Sequence, residues 1–275
     1  MYEAYWKLSD NPFHPRQGTE SWFASETHQA ALLKLRYVIE HRKGLACVIG
    51  PNGVGKSFLA RTIAAQPGDG SGPAVHVTWP RMNPVELLAY LGREWGLNTL
   101  GDDPVPADRL IAALRRRLTE FADAGQHPVV LVDDAHLIEA TDVLQSLRQL
   151  VHLRGRAEAD CTVILFGQPD LLPRVRRIAD LDDRVAVKCL IRPLTPAETQ
   201  GYVETRMAAV GRDDTNPVFM GDAYQVIHER SGGLPRRINR VCDLALLVGY
   251  ADDLPRIDAN HIEAVAEEID AVIAE

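Results

Sequence analysis

The chain has 275 residues, of which 46% are hydrophobic and 25% are charged, and its net charge at pH 7 is −8. This length allows one large domain or a large and a small one, and the composition is typical of a globular protein with a hydrophobic core. The net charge argues against a protein that coats nucleic acid over its whole surface, and it leaves room for a local basic face. No apolar run approaches 18 residues, so we expect no membrane span.

The cysteines and the N terminus indicate a cytoplasmic protein. The four cysteines are far apart and none forms a C-x-x-C pair, which favours free thiols in a reducing compartment. The first residues, Met1 to Lys7, lack the basic and apolar segments of a signal peptide.

Residues 1–44 are predicted to form an N-terminal segment that starts irregularly around Asn11-Pro12-Phe13 and continues as a helix over about 25–41. Short β-branched runs then alternate with helical patterns, which predicts a parallel sheet covered by helices on both faces. The predicted strands are 45–49, 74–79, 128–132, 161–166 and 185–190, and the main helices between them are 83–96, 106–124 and 139–154. The glycine-rich stretch 66–73 is predicted to be a surface loop.

The first strand leads into a phosphate-binding pattern, G-x-x-x-x-G-K-[ST], at Gly50 to Ser57. Glycines let successive main-chain N–H groups point at phosphate oxygens. Lys56 can neutralise the β and γ phosphates, Ser57 can offer its hydroxyl to Mg²⁺, and the next helix presents its positive end. The pattern predicts a nucleoside triphosphate site. Its predicted contacts are Gly50, Pro51, Asn52, Gly53, Val54, Gly55, Lys56, Ser57 and Phe58.

Two carboxylates, Asp133 and Asp134, follow the third predicted strand. In a parallel sheet, ligands collect at the carboxyl ends of the strands, where the phosphate loop also lies. Asp133 is placed to hold the Mg²⁺ hydration shell opposite Ser57. Asp134 is placed to orient and polarise the water that attacks the γ phosphate.

Beyond Arg192 only helical patterns remain. Thr195-Pro-Ala-Glu198 has the form of a capping box with proline at the first helical position. The predicted helices are 196–210, 221–231, 235–250 and 258–274. We therefore predict an α/β nucleotide-binding domain over 1–192, which includes the N-terminal segment 1–44, and a helical lid domain over 193–275.

Several further motifs add a family resemblance that covers nearly the whole chain. They are Asn11-Pro-Phe13, Gly50–Ser57, Val132-Asp-Asp-Ala-His136, Leu147-Arg148, Phe166-Gly-Gln-Pro-Asp-Leu171, Asp183-Arg184-Val185, Pro193–Glu198 and Ser231–Asn239. With these motifs the chain resembles an AAA+ ATPase of the ExeA type (general secretion pathway protein A), a family related to the TnsC-like transposition ATPases. The resemblance implies a P-loop sheet with a helical lid, ATP and Mg²⁺ as cofactors, ATP hydrolysis with Lys56 and Asp134 among the catalytic residues, and a homo-oligomer with nucleotide at the subunit interface.

Three more site residues are implied by the resemblance. Gln168 corresponds to the first sensor, which detects the γ phosphate, and Arg236 to the second, which brings the lid onto the phosphates. Arg184 corresponds to the arginine finger, which reaches the nucleotide of a neighbouring subunit. The other arginines that compete for the finger role are Arg174, Arg176 and Arg177.

One residue departs from the family pattern, because related enzymes usually carry glutamate where Asp134 stands. Aspartate is one methylene shorter, so its carboxylate lies about 1.5 Å further back, and a displacement of that size costs on the order of 10²-fold in rate. We therefore predict slow hydrolysis.

Three functions are open from the sequence. The first is an ATP-driven motor or switch in secretion or cell-envelope assembly. Because ExeA-type proteins often continue into a membrane span and this chain ends at Glu275, we expect only the cytoplasmic motor, with a partner supplied separately. The second is an ATP-dependent DNA-binding regulator of transposition, with Arg237 and Arg240 as candidate phosphate contacts. The third is a nucleotide-gated scaffold that barely turns over.

Overall fold

The computed structural model describes residues 1–14, 23–66, 68, 70–97, 106–211 and 217–274. The strands of these residues are β1 (Leu45–Ile49), β2 (Ser71–Val77), β3 (His127–Val132), β4 (Thr162–Gly167) and β5 (Val185–Leu190). The helices are α1 (Tyr2–Tyr5), α2 (Glu26–Glu40), α3 (Lys56–Ala65), α4 (Pro84–Glu94), α5 (Ala107–Asp123), α6 (Thr141–Val151), α7 (Leu171–Arg176), α8 (Ala179–Asp182), α9 (Pro196–Ala208), α10 (Gly221–Ser231), α11 (Pro235–Ala251) and α12 (Ala259–Ala274). A 3₁₀ turn, Ala135–Leu137, follows β3.

The strands form one parallel sheet in the order β2-β3-β4-β1-β5. Every residue of β1, β3 and β4 is buried, which explains why these strands are continuous apolar runs. The edge strand β5 instead exposes alternate residues. The predicted parallel sheet flanked by helices, with a helical region after it, is confirmed.

The start of β2 corrects one sequence prediction. Part of the stretch 66–73, predicted as a loop, belongs to this strand, since β2 begins at Ser71 and Ser71 pairs with His127. A register shift between Ser71 and Ala74 accommodates the glycine and proline that indicated a turn. Such an irregularity is tolerated because β2 lies at the edge of the sheet.

The contacts within the chain divide it into two units. The α/β unit contains Glu26–Asn52 and Lys56–Ile191, and the helical unit contains Met1–Ser25, Gly53–Gly55 and Arg192–Glu275. The described part of residues 1–25 therefore groups with the helical elements, whereas the sequence analysis assigns 1–44 to the α/β domain.

Aromatic packing explains this grouping of the N terminus. The Trp6 indole donates a hydrogen bond to the Leu246 carbonyl at 2.9 Å, and Phe13 packs edge-on against Phe219. The buried Arg206 guanidinium donates to the Pro12 carbonyl at 2.6 Å. Phe13 is thus part of the core of the helical unit.

Local signals within the helical unit behave as the sequence predicts. Thr195 and Glu198 form the predicted capping box, with both reciprocal hydrogen bonds present, and α9 starts at Pro196. Within the described residues, no helix is both long enough and apolar enough to cross a membrane.

Candidate nucleotide-binding site

Three neighbouring strands end at the same edge of the sheet and deliver the predicted site residues there. Gly50 follows β1, Asp133 follows β3 and Gln168 follows β4. Ile49 is in register with Gly167, and the Gly50 N–H donates to the Gly167 carbonyl at 3.2 Å. This is the carboxyl edge, where parallel sheets bind ligands.

The phosphate loop has the backbone that its glycines predict. Gly53 and Gly55 have φ values of +79° and +106°, a region that residues other than glycine usually avoid. A Cβ on Gly53 would also lie 2.9 Å from the Cβ of Arg236. The helix α3 begins at Lys56, so its amino end, which is the positive end of the helix dipole, adjoins the loop.

The Lys56 ammonium is buried within the loop, with only 6% of the residue exposed. Its Nζ donates to the carbonyls of Gly50 and Pro51, both at 2.9 Å. A buried ammonium needs such polar partners because desolvation is costly. The loop therefore holds this charge where the pattern requires it.

Asp133 is buried at the end of β3 and lies beside two polar side chains. Its Oδ2 lies 3.7 Å from Nε2 of His76, a residue of β2, and it also interacts with the hydroxyl of Ser57. Burial alone would raise the pKa of Asp133. The His76 ring, the Ser57 hydroxyl and the Asp134 N–H outweigh that effect and lower its pKa, so the carboxylate stays ionised.

Asp134 has a different environment from its neighbour. Its φ is +47°, a left-handed conformation that aspartate tolerates better than most residues, and its N–H donates to Asp133 Oδ1 at 3.0 Å. About half of its side chain, 51%, is exposed. The turn thus buries Asp133 and leaves Asp134 open to solvent.

Two histidines that lie at this site were not identified as functional candidates from the sequence. His76 contacts Asp133, and His136 lies between Asp134 and Gln168. A polar residue inside the apolar run of β2, and a histidine two positions after the aspartate pair, are the signals that could have identified them.

Comparisons with known proteins agree with this geometry. Residues 39–175 match the family described as AAA domain. The protein has the AAA+ P-loop fold. The chain is 30% identical over 275 residues to General secretion pathway protein A of Aeromonas hydrophila, covering 99% of this chain and 49% of that protein. It therefore spans about half the length of this curated relative.

Two solved structures share the AAA+ fold at low sequence identity. The ORC2 protein of Aeropyrum pernix, in ADPNP-ADP complexes, has a TM-score of 0.66 at 16% identity, covering 87% of this chain and 66% of that one. The ORC1 protein of Aeropyrum pernix, in complex with DNA, has a TM-score of 0.67 at 15% identity, covering 94% of this chain and 68% of that one. At these identities the likeness concerns the fold alone.

The residues implied by the family resemblance lie in distinct places on the AAA+ fold. Gln168 is at the carboxyl edge, whereas Arg184 is exposed immediately before β5 and so lies at the opposite, amino edge. In the helical unit, Arg236 is exposed in the first turn of α11, and its N–H donates to the Gly53 carbonyl at 3.2 Å. Phe58 is half-buried, with the Arg61 guanidinium 5.8 Å from its ring centre.

The alternative finger residues differ in how they are held. Arg174 donates to the Ile138 carbonyl at 2.9 Å and pairs with Asp170 at 3.6 Å, so its guanidinium is already engaged. Arg176 and Arg177 are exposed. The roles of all four arginines stay predictions.

Proposed function

We propose that this protein binds ATP with Mg²⁺ and hydrolyses it, acting as an oligomeric AAA+ motor or switch in the cytoplasm. The observation that carries the proposal is the meeting of Ser57 with an ionised Asp133 directly beside the loop that holds Lys56. A hydroxyl and a carboxylate joined to a glycine-rich loop suit a metal–triphosphate complex better than any other common ligand.

The oxygen donors present fit Mg²⁺. Ser57 and Asp133 would hold the ion, which would neutralise charge on the phosphates. The Lys56 ammonium would exchange a loop carbonyl for a phosphate oxygen, since a charged acceptor binds it more strongly than a neutral one. Asp134 would orient the attacking water, and Gln168 and Arg236 would contact the γ phosphate as sensors.

The process coupled to hydrolysis is proposed to be secretion or cell-envelope assembly. The support is the 30% identity to General secretion pathway protein A across nearly the whole chain. A partner in that machinery would receive the conformational change that follows hydrolysis. The relation to TnsC-like ATPases stays a prediction.

The test of the proposed function is ATP binding by calorimetry together with phosphate release, for the wild type and for Lys56→Ala. We expect the wild type to bind and hydrolyse ATP, and Lys56→Ala to lose binding because the loop then lacks its ammonium. Lys43→Ala is the matched control, since Lys43 is an exposed lysine just before the amino end of β1. A wild type that shows no heat and no saturation with ATP and magnesium would refute the proposal.

A second candidate function is ATP-dependent DNA binding. It is supported by Arg237 and Arg240, which are both exposed on α11. DNA binding that requires ATP and weakens steeply with salt would favour this function. Absence of binding to any DNA at low salt would exclude it.

A further inference from the structure

His136 occupies a buried position between two residues of the proposed site. Only 8% of it is exposed, and it lies in the 3₁₀ turn that follows the aspartate pair. Its Nε2 is 2.8 Å from Nε2 of Gln168, and its Nδ1 is 3.9 Å from Oδ1 of Asp134. The imidazole therefore spans the gap between the ends of β3 and β4.

Gly167, the last residue of β4, lies close to Leu171 and to the turn that contains His136. A Cβ at this position would lie 2.6 Å from Leu171 Cδ2 and 3.4 Å from the main-chain nitrogen of His136. The severe overlap would be with Leu171, whereas the distance to the turn is that of an ordinary van der Waals contact.

The polar atoms select one tautomer of the ring. With the Gln168 amide nitrogen as donor, Nε2 of His136 accepts, so the single proton of the neutral ring resides on Nδ1. That N–H then faces the Asp134 carboxylate. Nδ1 is a buried atom without a hydrogen-bond partner in the described structure, and such atoms are costly unless a partner approaches.

We propose that His136 is a positioning residue, whose Nδ1–H restrains the Asp134 carboxylate while Gln168 holds the ring in the required tautomer. This inference rests on the proposed ATP hydrolysis. A movement of about 1 Å by the half-exposed Asp134 side chain brings its oxygen into hydrogen-bond range of Nδ1. The restraint limits the freedom of a carboxylate that is one methylene shorter than the usual glutamate.

Two substitutions of His136 distinguish the contribution of Nδ1 from that of Nε2. His136→Asn keeps a donor near the Nδ1 position, and His136→Gln keeps an acceptor near the Nε2 position. We expect His136→Gln to lower kcat by about tenfold or more and His136→Asn to lower it less, with the ATP dissociation constant changed by less than about threefold in both. The double variant Asp134→Asn/His136→Gln should be no slower than Asp134→Asn, because His136 acts through Asp134.

Several outcomes would overturn this inference without touching the proposed function. These are, with an active wild type, a His136→Gln variant as fast as the wild type, equal losses in His136→Gln and His136→Asn, or an additional loss in the double variant. His41→Asn, at an exposed histidine of the same unit, is the matched control, and melting temperatures check that each variant folds. A wild type that neither binds nor hydrolyses ATP would refute the proposed function itself.

A measurement that needs no activity tests the same arrangement. Ring ¹⁵N–¹H correlation spectra of histidine-labelled wild type at pH 8, assigned with His136→Asn, should show the Nδ1–H tautomer for His136. Gln168→Ala should shift that resonance toward a mixture of tautomers. An Nε2–H tautomer in the wild type would overturn the inference.

Discussion

At the scale of single residues, two adjacent aspartates lie in different environments because one turn separates them. Asp133 is buried and its lowered pKa keeps it ionised, whereas Asp134 has a left-handed backbone and a half-exposed side chain. These different environments fit the different roles proposed for the two residues, a metal ligand for Asp133 and a water-orienting group for Asp134. The length of the second one then sets how far its carboxylate reaches.

We expect Asp134→Glu to raise kcat for ATP hydrolysis by about tenfold or more, because the added methylene moves the carboxylate about 1.5 Å toward the substrate. Steady-state phosphate release at saturating ATP measures the change. Asp134→Asn is the control, since it keeps the side-chain size, retains ATP binding and loses the charge that polarises water. A turnover in the tens per second for the wild type, or a slower Asp134→Glu, would contradict the reasoning.

At the scale of secondary-structure elements, the amino ends of β3 and β4 are joined by a buried polar pair. Nε2 of His127, the first residue of β3, is 2.8 Å from the hydroxyl oxygen of Thr162, the first residue of β4. Burial first, and then the charge of Arg42, lower the pKa of His127 to about 4 from an ordinary value of 6.5. The sheet therefore holds this histidine neutral.

This pair predicts how stability depends on pH. The folded-state pKa of His127 lies below its unfolded value, so between these two values the unfolded chain binds a proton that the folded chain does not. The free energy of unfolding therefore falls as the pH drops from about 6.5 to about 4. Full titration of this group corresponds to about 3 kcal/mol of unfolding free energy. Urea unfolding at pH 7, 5.5 and 4.5 should show a shallower pH dependence for His127→Gln than for the wild type. Parallel curves would rule out His127 as a source of acid sensitivity.

At the scale of the whole molecule, the proposed arginine finger lies at the amino ends of the strands, whereas the phosphate loop lies at their carboxyl ends. Arg184 precedes β5, and β5 runs parallel to β1, whose carboxyl end carries the loop. A strand of six residues is about 20 Å long, which exceeds the reach of an arginine side chain. Within one subunit Arg184 therefore has no access to the γ phosphate, and any catalytic role requires a second copy.

Mixing two inactive variants tests this role. We expect Arg184→Ala to lower kcat by about 10³-fold, as removal of an arginine finger does, while ATP binding persists. Combined with Lys56→Ala subunits, whose Arg184 is intact, it should regain about a quarter of wild-type activity in randomly mixed oligomers.

The control for the mixing experiment is Arg156→Ala, at an exposed arginine between α6 and β4 that is not a candidate for the finger. It should retain activity on its own. A protein that stays monomeric with and without ATP, or a mixture that shows no recovery, would exclude Arg184 as a finger.

The sequence by itself determined the sheet and the phosphate loop, because both depend on local chemistry. Buried parallel strands must be apolar throughout, as β1 is, and glycines such as Gly53 readily adopt the positive φ angles that the loop requires. The grouping of the N terminus with the helical unit, the approach of His76 to Asp133 and the contact of His136 with Gln168 were decided by the tertiary structure. They join residues far apart in the chain, and spacing along a sequence carries no information about which buried groups meet across neighbouring strands.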